Sequence, residues 1–402
     1  MTLESWLLIV AIILLLATLG VGVIVLRELR VLRALRSEPI SVVLDDDPST
    51  STSGPLLAFV ANPSKGSVAS LKGALLARCE AEGLPEPLWL ETTVDDPGVG
   101  QAREAVESGA DIVVAMGGDG TVRAVATHLT TTDVPMGIIP VGTGNLLARN
   151  LDIPVTSMDD AFEVIMNGAD RRIDVGWLQV TQPDSSEHER LKKIVATTRS
   201  ESRRERAQLR LESGESNPAS SEEHLFLVIS GVGFDAAMIA DADANLKAKL
   251  GWIAYFVAGV RHLHGARMTT RISLDNKVFT TKLRSLMVGN CGKLPGGITL
   301  IPDAVIDDGI HDIAAIDTRG GIAGWVQLFG EVMLQGVGVQ YSQNIKVGRI
   351  DHIQAKRVQV SVEGGAAVQV DGDIVGRGKT VRTWVDPKAL TVRAPLPRLD
   401  QR

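Results

Sequence analysis

Gly117-Gly118-Asp119-Gly120-Thr121 places three glycines and one carboxylate in five residues, directly after the apolar run Asp111 to Met116. Glycine has no β-carbon, so phosphate oxygens can approach the backbone N–H groups of such a loop, and a helix opening behind it favours negative charge. Asp119 is the odd member. A carboxylate beside a polyphosphate repels it unless a divalent cation lies between them, so the pattern suits a nucleotide carried with Mg2+ better than bare phosphate. The competing reading is an ordinary tight turn from strand to helix.

The surrounding elements decide between these readings. Leu56 to Ala61, Leu88 to Glu91, Asp111 to Met116 and Met136 to Val141 are short apolar runs that predict strands. Ser67 to Glu82, Val99 to Ser108 and Val122 to Leu129 predict helices between them. Strands alternating with helices imply parallel pairing with right-handed crossovers, hence an open doubly wound sheet. In that architecture a ligand lies outside the carboxyl ends of the strands. The rule gathers four loops on one rim: Asn62-Pro63-Ser64-Lys65-Gly66, Glu91-Thr92-Thr93, Gly117 to Thr121, and Gly142-Thr143-Gly144-Asn145. Each offers N–H groups, a hydroxyl or a cation, as a triphosphate requires. Neither standard phosphate motif is present, because Asp373 stands where a Walker A loop before Gly378-Lys379-Thr380 needs its first glycine, and Gly231-Val232-Gly233 lacks the third glycine of a dinucleotide fingerprint.

Beyond the rim, 402 residues predict two domains behind a leading segment, and a net charge of -7 gives no reason to expect nucleic acid. Two distant cysteines, Cys79 and Cys291, form neither a disulfide framework nor a zinc pattern. Thr156 to Gly168 reads as a helix, after which the character changes. Ile173 to Val180, Leu225 to Ser230, Met268 to Leu274, Leu283 to Gly289, Gly309 to Ile316, Val358 to Val362, Ala367 to Val370 and Lys379 to Val385 are β-type runs of an antiparallel sandwich or barrel. Residues 182–223 interrupt them with dense Ser, Glu and Arg, and read as a disordered insertion with a charged helix over 187–211 as the alternative. Leu246 to Leu263 is an apolar helix candidate that either packs on the second domain or helps form an apolar cleft.

Trp6 to Leu26 carries no charge and has roughly the ~20 apolar residues that cross a bilayer. It predicts a transmembrane anchor. Arg27, Arg30, Arg33 and Arg36 follow, which predicts a single-pass cell-membrane protein with its domains facing the cytoplasm and arginines near anionic headgroups. Residues 1–36 are thus an anchor with a basic flank, and 37–55 a flexible linker.

Taken in order, Gly117 to Thr121, Pro140-Val141-Gly142-Thr143-Gly144-Asn145, Ala148-Arg149-Asn150-Leu151, Gly231 to Asp235, Gly289-Asn290, Pro302 to Gly309 and Asp371-Gly372-Asp373 resemble the diacylglycerol kinase catalytic family. These are bacterial lipid kinases that are similar in turn to sphingosine kinases. The glycine loop alone is shared with NAD kinases; the ordered set is not. The resemblance covers Leu56 to Pro395 apart from the insertion, and implies a nucleotide-binding α/β domain over 56–172 followed by a lipid-substrate β-sandwich over 173–395.

The resemblance also implies roles. Gly117, Gly118, Asp119, Gly120 and Thr121 would cradle the phosphates of ATP with Asp119 near Mg2+. Asn62, Thr92 or Thr93, and Thr143 would be further nucleotide contacts, with Gly142, Gly144 and Asn145 of the same rim loop; Lys65 departs from the family and would add a point charge for a phosphate. Asp308, with carbonyls near Val305 and Ile310, would hold a structural Mg2+. Asp373 would be the general base for a lipid hydroxyl; being one carbon shorter than the family's Glu, it must be brought closer by its backbone, or Asp371 shares the role. The implied activity is an ATP-dependent lipid kinase, most simply one converting diacylglycerol to phosphatidic acid; an NAD kinase and a non-catalytic sensor are the alternatives. Three departures stand out: Asp373 where the family has the longer Glu, Arg123-Ala124 where it often has Asn-Glu, and Lys65 where a small residue is common. Oligomeric state is open.

Overall fold

Apolar runs bounded by turn residues form the first sheet: β1 (Leu57–Ala61), β2 (Leu88–Glu91), β3 (Ile112–Gly117) and β4 (Met136–Pro140). Every residue of β1 and β3 is buried. That fits central parallel strands covered on both faces, which read as continuous apolar stretches rather than alternating ones. In this computed structural model β1 lies between β2 and β3, and β4 adds beside β3, all in parallel. The helices α1 (Gly66–Ala81), α2 (Val99–Glu107) and α3 (Asp119–Leu129) supply the crossovers. Two shorter ones follow, α4 (Leu146–Asn150) and α5 (Met158–Asn167). The Ser157 hydroxyl caps α5 by accepting from the Asp160 N–H at 3.1 Å, with Asp159 and Asp160 in the first turn.

The structure describes residues 54–233, 267–318 and 348–396, apart from 199, 213, 215, 276, 295–297, 300, 302 and 303. The anchor segment with its four arginines, residues 37–53 of the linker, the helix candidate Leu246 to Leu263, and Phe234, Asp235, Pro302 and Asp303 all lie outside these residues.

The later part is antiparallel. It contains β5 (Ala169–Pro183), β6 (Glu223–Phe226), β7 (Ile229–Gly233), β8 (Met268–Leu274), β9 (Lys277–Leu283) and β10 (Ser285–Gly289). After the small pair β11 (Lys293–Leu294) and β12 (Ile298–Thr299) come β13 (His311–Thr318), β14 (Gly348–Ala355), β15 (Arg357–Val370) and β16 (Asp373–Ala394). The last strand does more than close this part. Near its end Val392 pairs in parallel with Met136, so β16 joins the nucleotide-side sheet and the strand order runs β14-β13-β10-β7-β15-β16-β4-β3-β1-β2. An α/β part and a β-sandwich part therefore share one continuous sheet, which fixes the rim of the first relative to the hairpins of the second.

Two expectations are corrected. Within 182–223 the described residues hold two paired helices, α6 (Ser186–Thr197) and α7 (Glu201–Glu212), in place of a disordered insertion and close to the alternative of a charged helix over 187–211. Few apolar residues suffice here because Leu191 and Ala207 are buried, Glu187 pairs with both Arg190 and Arg210, and buried Asp184 lies between Arg377 and Lys379. Second, among the described residues no helix is long and apolar enough to cross a membrane. The placement as a single-pass membrane protein with cytoplasmic domains is overturned by that finding; the segment Trp6 to Leu26, on which it rested, lies outside the described residues.

His311 starts β13 with a fully buried ring stacked on Phe226, the centroids 5.4 Å apart. Burial pushes its proton affinity down from 6.5 to about 4. Because the unfolded state binds this proton more readily, stability is full above the unfolded value and declines as pH falls from 6.5 towards 4, by about 3 kcal/mol in total. Urea unfolding of His311→Phe across that range should lack this part of the acid slope. An unchanged slope would assign it to other groups.

Candidate active site

The rim loops are joined by hydrogen bonds that the sequence does not announce. The Asn62 N–H donates to the Met116 carbonyl at 3.0 Å, and its side-chain amide donates to the Thr121 hydroxyl at 3.2 Å. Thr92 is buried and its N–H donates to the Ala61 carbonyl at 2.9 Å, while the Thr93 hydroxyl accepts from the Asp96 N–H at 3.0 Å. The Val141 N–H donates to the Gly117 carbonyl at 3.2 Å. All four strand ends thus meet, as the topological rule requires.

Within this cluster the glycines are needed for close approach. A β-carbon on Gly117 would collide with the Thr121 side chain, and one on Gly142 would lie 2.6 Å from the Gly118 α-carbon. The two glycine loops therefore pack back to back, leaving little between them but backbone. The Lys65 stem reaches Gly118, with its ε-carbon 3.9 Å from where a β-carbon would stand. Thr143 is exposed at the tip. Asn145 adopts a left-handed φ of 49° and clasps Gly142 from both sides, donating to its carbonyl at 2.8 Å and accepting from its N–H at 3.0 Å.

Asp119 has a different place from the one expected. Its two oxygens accept from the N–H groups of Asn145 at 3.0 Å and Leu146 at 2.6 Å, and one would lie 2.5 Å from a β-carbon on Gly144. It fastens the two glycine loops together and sits at the start of α4, where a carboxylate is favoured by the unpaired N–H groups. Burial pushes its proton affinity up against the pull of those hydrogen bonds. As a metal ligand it has only its leftover lone pairs to give. Thr121 is likewise turned inward, 3 % exposed and bonded to Asn62, so its hydroxyl serves the loop.

The acids of the second part divide by environment. β15 and β16 pair Val370 with Asp373, leaving Asp371-Gly372 as a two-residue hairpin turn. Both turn residues have left-handed φ, 46° and 90°, which an Asp-Gly pair accommodates well. Asp371 is buried and accepts from three N–H groups, Leu227 at 2.8 Å, Val228 at 2.9 Å and Ile229 at 3.0 Å. Those contacts occupy both its oxygens and turn it away from solvent, so the expectation that Asp371 shares the base role is corrected: it pins the hairpin. Asp373 is its opposite. Its side chain is 61 % exposed, its Oδ2 accepts from Arg123 at 2.6 Å, and the same oxygen lies 3.7 Å from where a β-carbon of Gly120 would stand. The one solvent-facing acid of the hairpin thus stands against the glycine loop.

Asp308 is an exposed turn residue whose Oδ1 accepts from the Ile310 N–H at 3.1 Å. Although the residue is exposed, partial desolvation of its carboxylate raises its proton affinity against the Ile310 hydrogen bond, with Asp174 and Asp307 adding to the effect. Among the described residues no group of three or more His, Cys, Asp or Glu side chains forms a metal cage. A single carboxylate at this turn does not by itself make a fully protein-ligated cation site. Asp174 escaped sequence reading. It is fully buried, and its oxygens accept from Gly309 and, at 2.7 Å, from Lys388, fixing the Asp308 turn to β16. The available signal was an acid between Ile173 and Val175 in a buried strand.

Comparison with known proteins follows this division of the chain. Residues 57–178 match the diacylglycerol kinase catalytic domain, and residues 228–394 match the YegS C-terminal NAD kinase beta sandwich-like domain. The chain belongs to the diacylglycerol kinase catalytic-domain family. Membership makes it a kinase of the lipid-kinase type, a class that draws its phosphoryl group from ATP. Among its relatives, a diacylglycerol kinase of Bacillus subtilis is 26% identical over 278 residues, 68% of this chain and 75% of that protein. A diacylglycerol kinase of Mycobacterium tuberculosis is 26% identical over 273 residues, 67% and 72% of the two chains. A probable YegS-like lipid kinase of Stenotrophomonas maltophilia is 25% identical over 279 residues, 68% and 75%. A solved diacylglycerol kinase of Bacillus anthracis superposes with a TM-score of 0.58 at 20% identity, covering 85% of this kinase and 97% of that one. That likeness establishes the shared fold, an α/β part followed by a β-sandwich.

Proposed function

We propose that this kinase transfers the γ-phosphoryl group of ATP to the hydroxyl of diacylglycerol, with Asp373 as the general base. The observation that carries the reading is the meeting of Asp373 with the glycine loop: the only acid of the Asp-Gly-Asp hairpin open to solvent stands beside Gly120. A hydroxyl lying between them would be in reach of a carboxylate on one side and a phosphate cradle on the other. Asp373 accepts the hydroxyl proton as the acceptor oxygen bonds to phosphorus, and the bond to the β-phosphate oxygen breaks to release ADP. The N–H groups of the two packed glycine loops and the Lys65 ammonium hold the phosphates in line, the positioning that phosphoryl transfer chiefly needs. Bound Mg2+ would neutralise charge on the phosphates. Asn62, Thr92 and Asn145 act by shaping the loops; Thr143, exposed at the tip, would reach the nucleotide directly.

The choice of diacylglycerol rests on the names of two relatives, the diacylglycerol kinases of Bacillus subtilis and Mycobacterium tuberculosis. Incubation of the purified protein with labelled ATP, Mg2+ and separate mixed micelles of diacylglycerol, sphingosine or polyprenol, with NAD in a fourth reaction, should place label in diacylglycerol. Label in NAD would overturn the lipid-kinase reading, and label in another lipid would correct the acceptor alone.

A further inference from the structure

We propose that Arg123 is a positioning residue that holds Asp373 against the glycine loop, so that a short acid does the work of a longer one. This inference rests on the reading of Asp373 as the base. Arg123 lies four residues after Asp119 on α3, so both side chains leave the same face of the helix, one turn apart. The first helical turn is thereby tied to α4 through Asp119 and to the β15–β16 hairpin through Arg123.

The guanidinium makes two contacts that bracket the turn. One nitrogen donates to the Val370 carbonyl at 2.6 Å and another to Asp373 Oδ2 at 2.6 Å. Val370 and Asp373 are the paired residues on either side of Asp371-Gly372, so a single planar group fixes both ends of the hairpin tip. The Arg123 side chain is 19 % exposed whereas that of Asp373 is 61 % exposed. The cation is therefore held in the structure while the acid keeps its outer side for an acceptor. Asp371 secures the same turn from the opposite side through the Leu227 to Ile229 N–H groups. With the tip clamped on both sides, Asp373 has little freedom to drift from Gly120.

Fork geometry matters here. Lysine at 123 would donate from a single nitrogen, without the planar fork that lets two separate guanidinium nitrogens serve Val370 and Asp373. The pairing also gives a physical reason for two of the departures noted in the sequence to occur together: an arginine behind the glycine loop and an aspartate at the hairpin are parts of one device.

The test compares wild type, Arg123→Gln, Arg123→Lys and the double variant Arg123→Gln/Asp373→Glu, measuring kcat, KM for ATP, and melting temperature. Arg123→Gln should lower kcat by about 100-fold with KM for ATP within about twofold, the size of loss that follows a misplaced catalytic group. Arg123→Lys should fall between it and wild type. In the double variant the longer glutamate recovers the lost reach without the clamp, so kcat should rise at least about tenfold above Arg123→Gln. A purely structural arginine predicts no such rescue, because the longer acid does nothing for folding. Unchanged kcat in Arg123→Gln, or absence of rescue in a double variant that melts like wild type, overturns the inference. If Arg123→Gln does not fold, Arg123→Lys with and without Asp373→Glu decides on the same criterion. A wild-type protein that phosphorylates no lipid sinks the underlying reading instead, so the two failures are distinct.

Discussion

Asp373→Asn should lower turnover with lipid acceptor by roughly 10²- to 10⁴-fold, the range a positioned general base contributes, while the KM for ATP stays within about twofold. The substitution is nearly isosteric, and its amide oxygen can still accept from Arg123, so the hairpin keeps its clamp. What disappears is a group able to take the acceptor proton. The loops proposed to cradle phosphate are built from other parts: Gly117, Gly118 and Gly142 meet through their backbones and the Asn145 side-chain amide clasps Gly142, none of which involves Asp373. Binding of nucleotide and removal of the proton therefore separate cleanly in this variant. Steady-state kinetics with ATP and diacylglycerol micelles checks the result. Turnover close to wild type would mean that the hydroxyl proton leaves by another route, and the hairpin would then be a structural element only.

Much of the architecture was legible because the physics behind it is local. Strands buried on both faces must be continuously apolar, which makes β1 and β3 plain in Leu57 to Ala61 and Ile112 to Gly117. Alternation with helices then orders the sheet, and topology delivers the rim loops without any side-chain geometry. Pairing across long separations is different. Nothing near Thr391 to Ala394 signals that β16 reaches β4, because one apolar strand end resembles another until both are placed. β14 was missed for a similar reason: Gly348 to Ala355 mixes charge and apolar residues as an edge strand does. Composition misled in the insertion, where few apolar residues suggested disorder although ion pairs around Glu187 and Asp184 accompany a helix pair.

The site shows the same boundary. Residue types point to candidate groups for phosphate and acid chemistry, but not to which acids face solvent. Asp119, Asp371 and Asp373 look alike as letters, yet two are held by backbone N–H groups and one is open. The difference comes from which chain segments pass beside each carboxylate, and Leu227 to Ile229 are more than 140 residues from Asp371, with separations of 144, 143 and 142. Sequence spacing carries no trace of such an approach.

That division predicts opposite phenotypes for two acids separated by one glycine. Asp371→Ala should destabilise the fold by roughly 4 kcal/mol or more, since three buried N–H groups lose their acceptor at about 1–3 kcal/mol each and an alanine must adopt the left-handed φ at about 1 kcal/mol or more. Burial raises the proton affinity of Asp371 although Arg123 and the three N–H groups oppose it, so part of the loss is offset by relief of a desolvated charge. Against a typical total of about 5–15 kcal/mol, the remainder is still large. Asp371→Asn should be milder, because its oxygen can keep Val228 and Ile229 while its NH2 group confronts the Leu227 N–H. Urea unfolding midpoints rank the three proteins. The folded fraction of Asp371→Asn should turn over far faster than Asp373→Asn, because the proton acceptor remains in place. If Asp371→Ala unfolds within about 1 kcal/mol of wild type, the carboxylate does not pin the hairpin; if Asp371→Asn is as inactive as Asp373→Asn while well folded, the buried acid takes part in the chemistry after all.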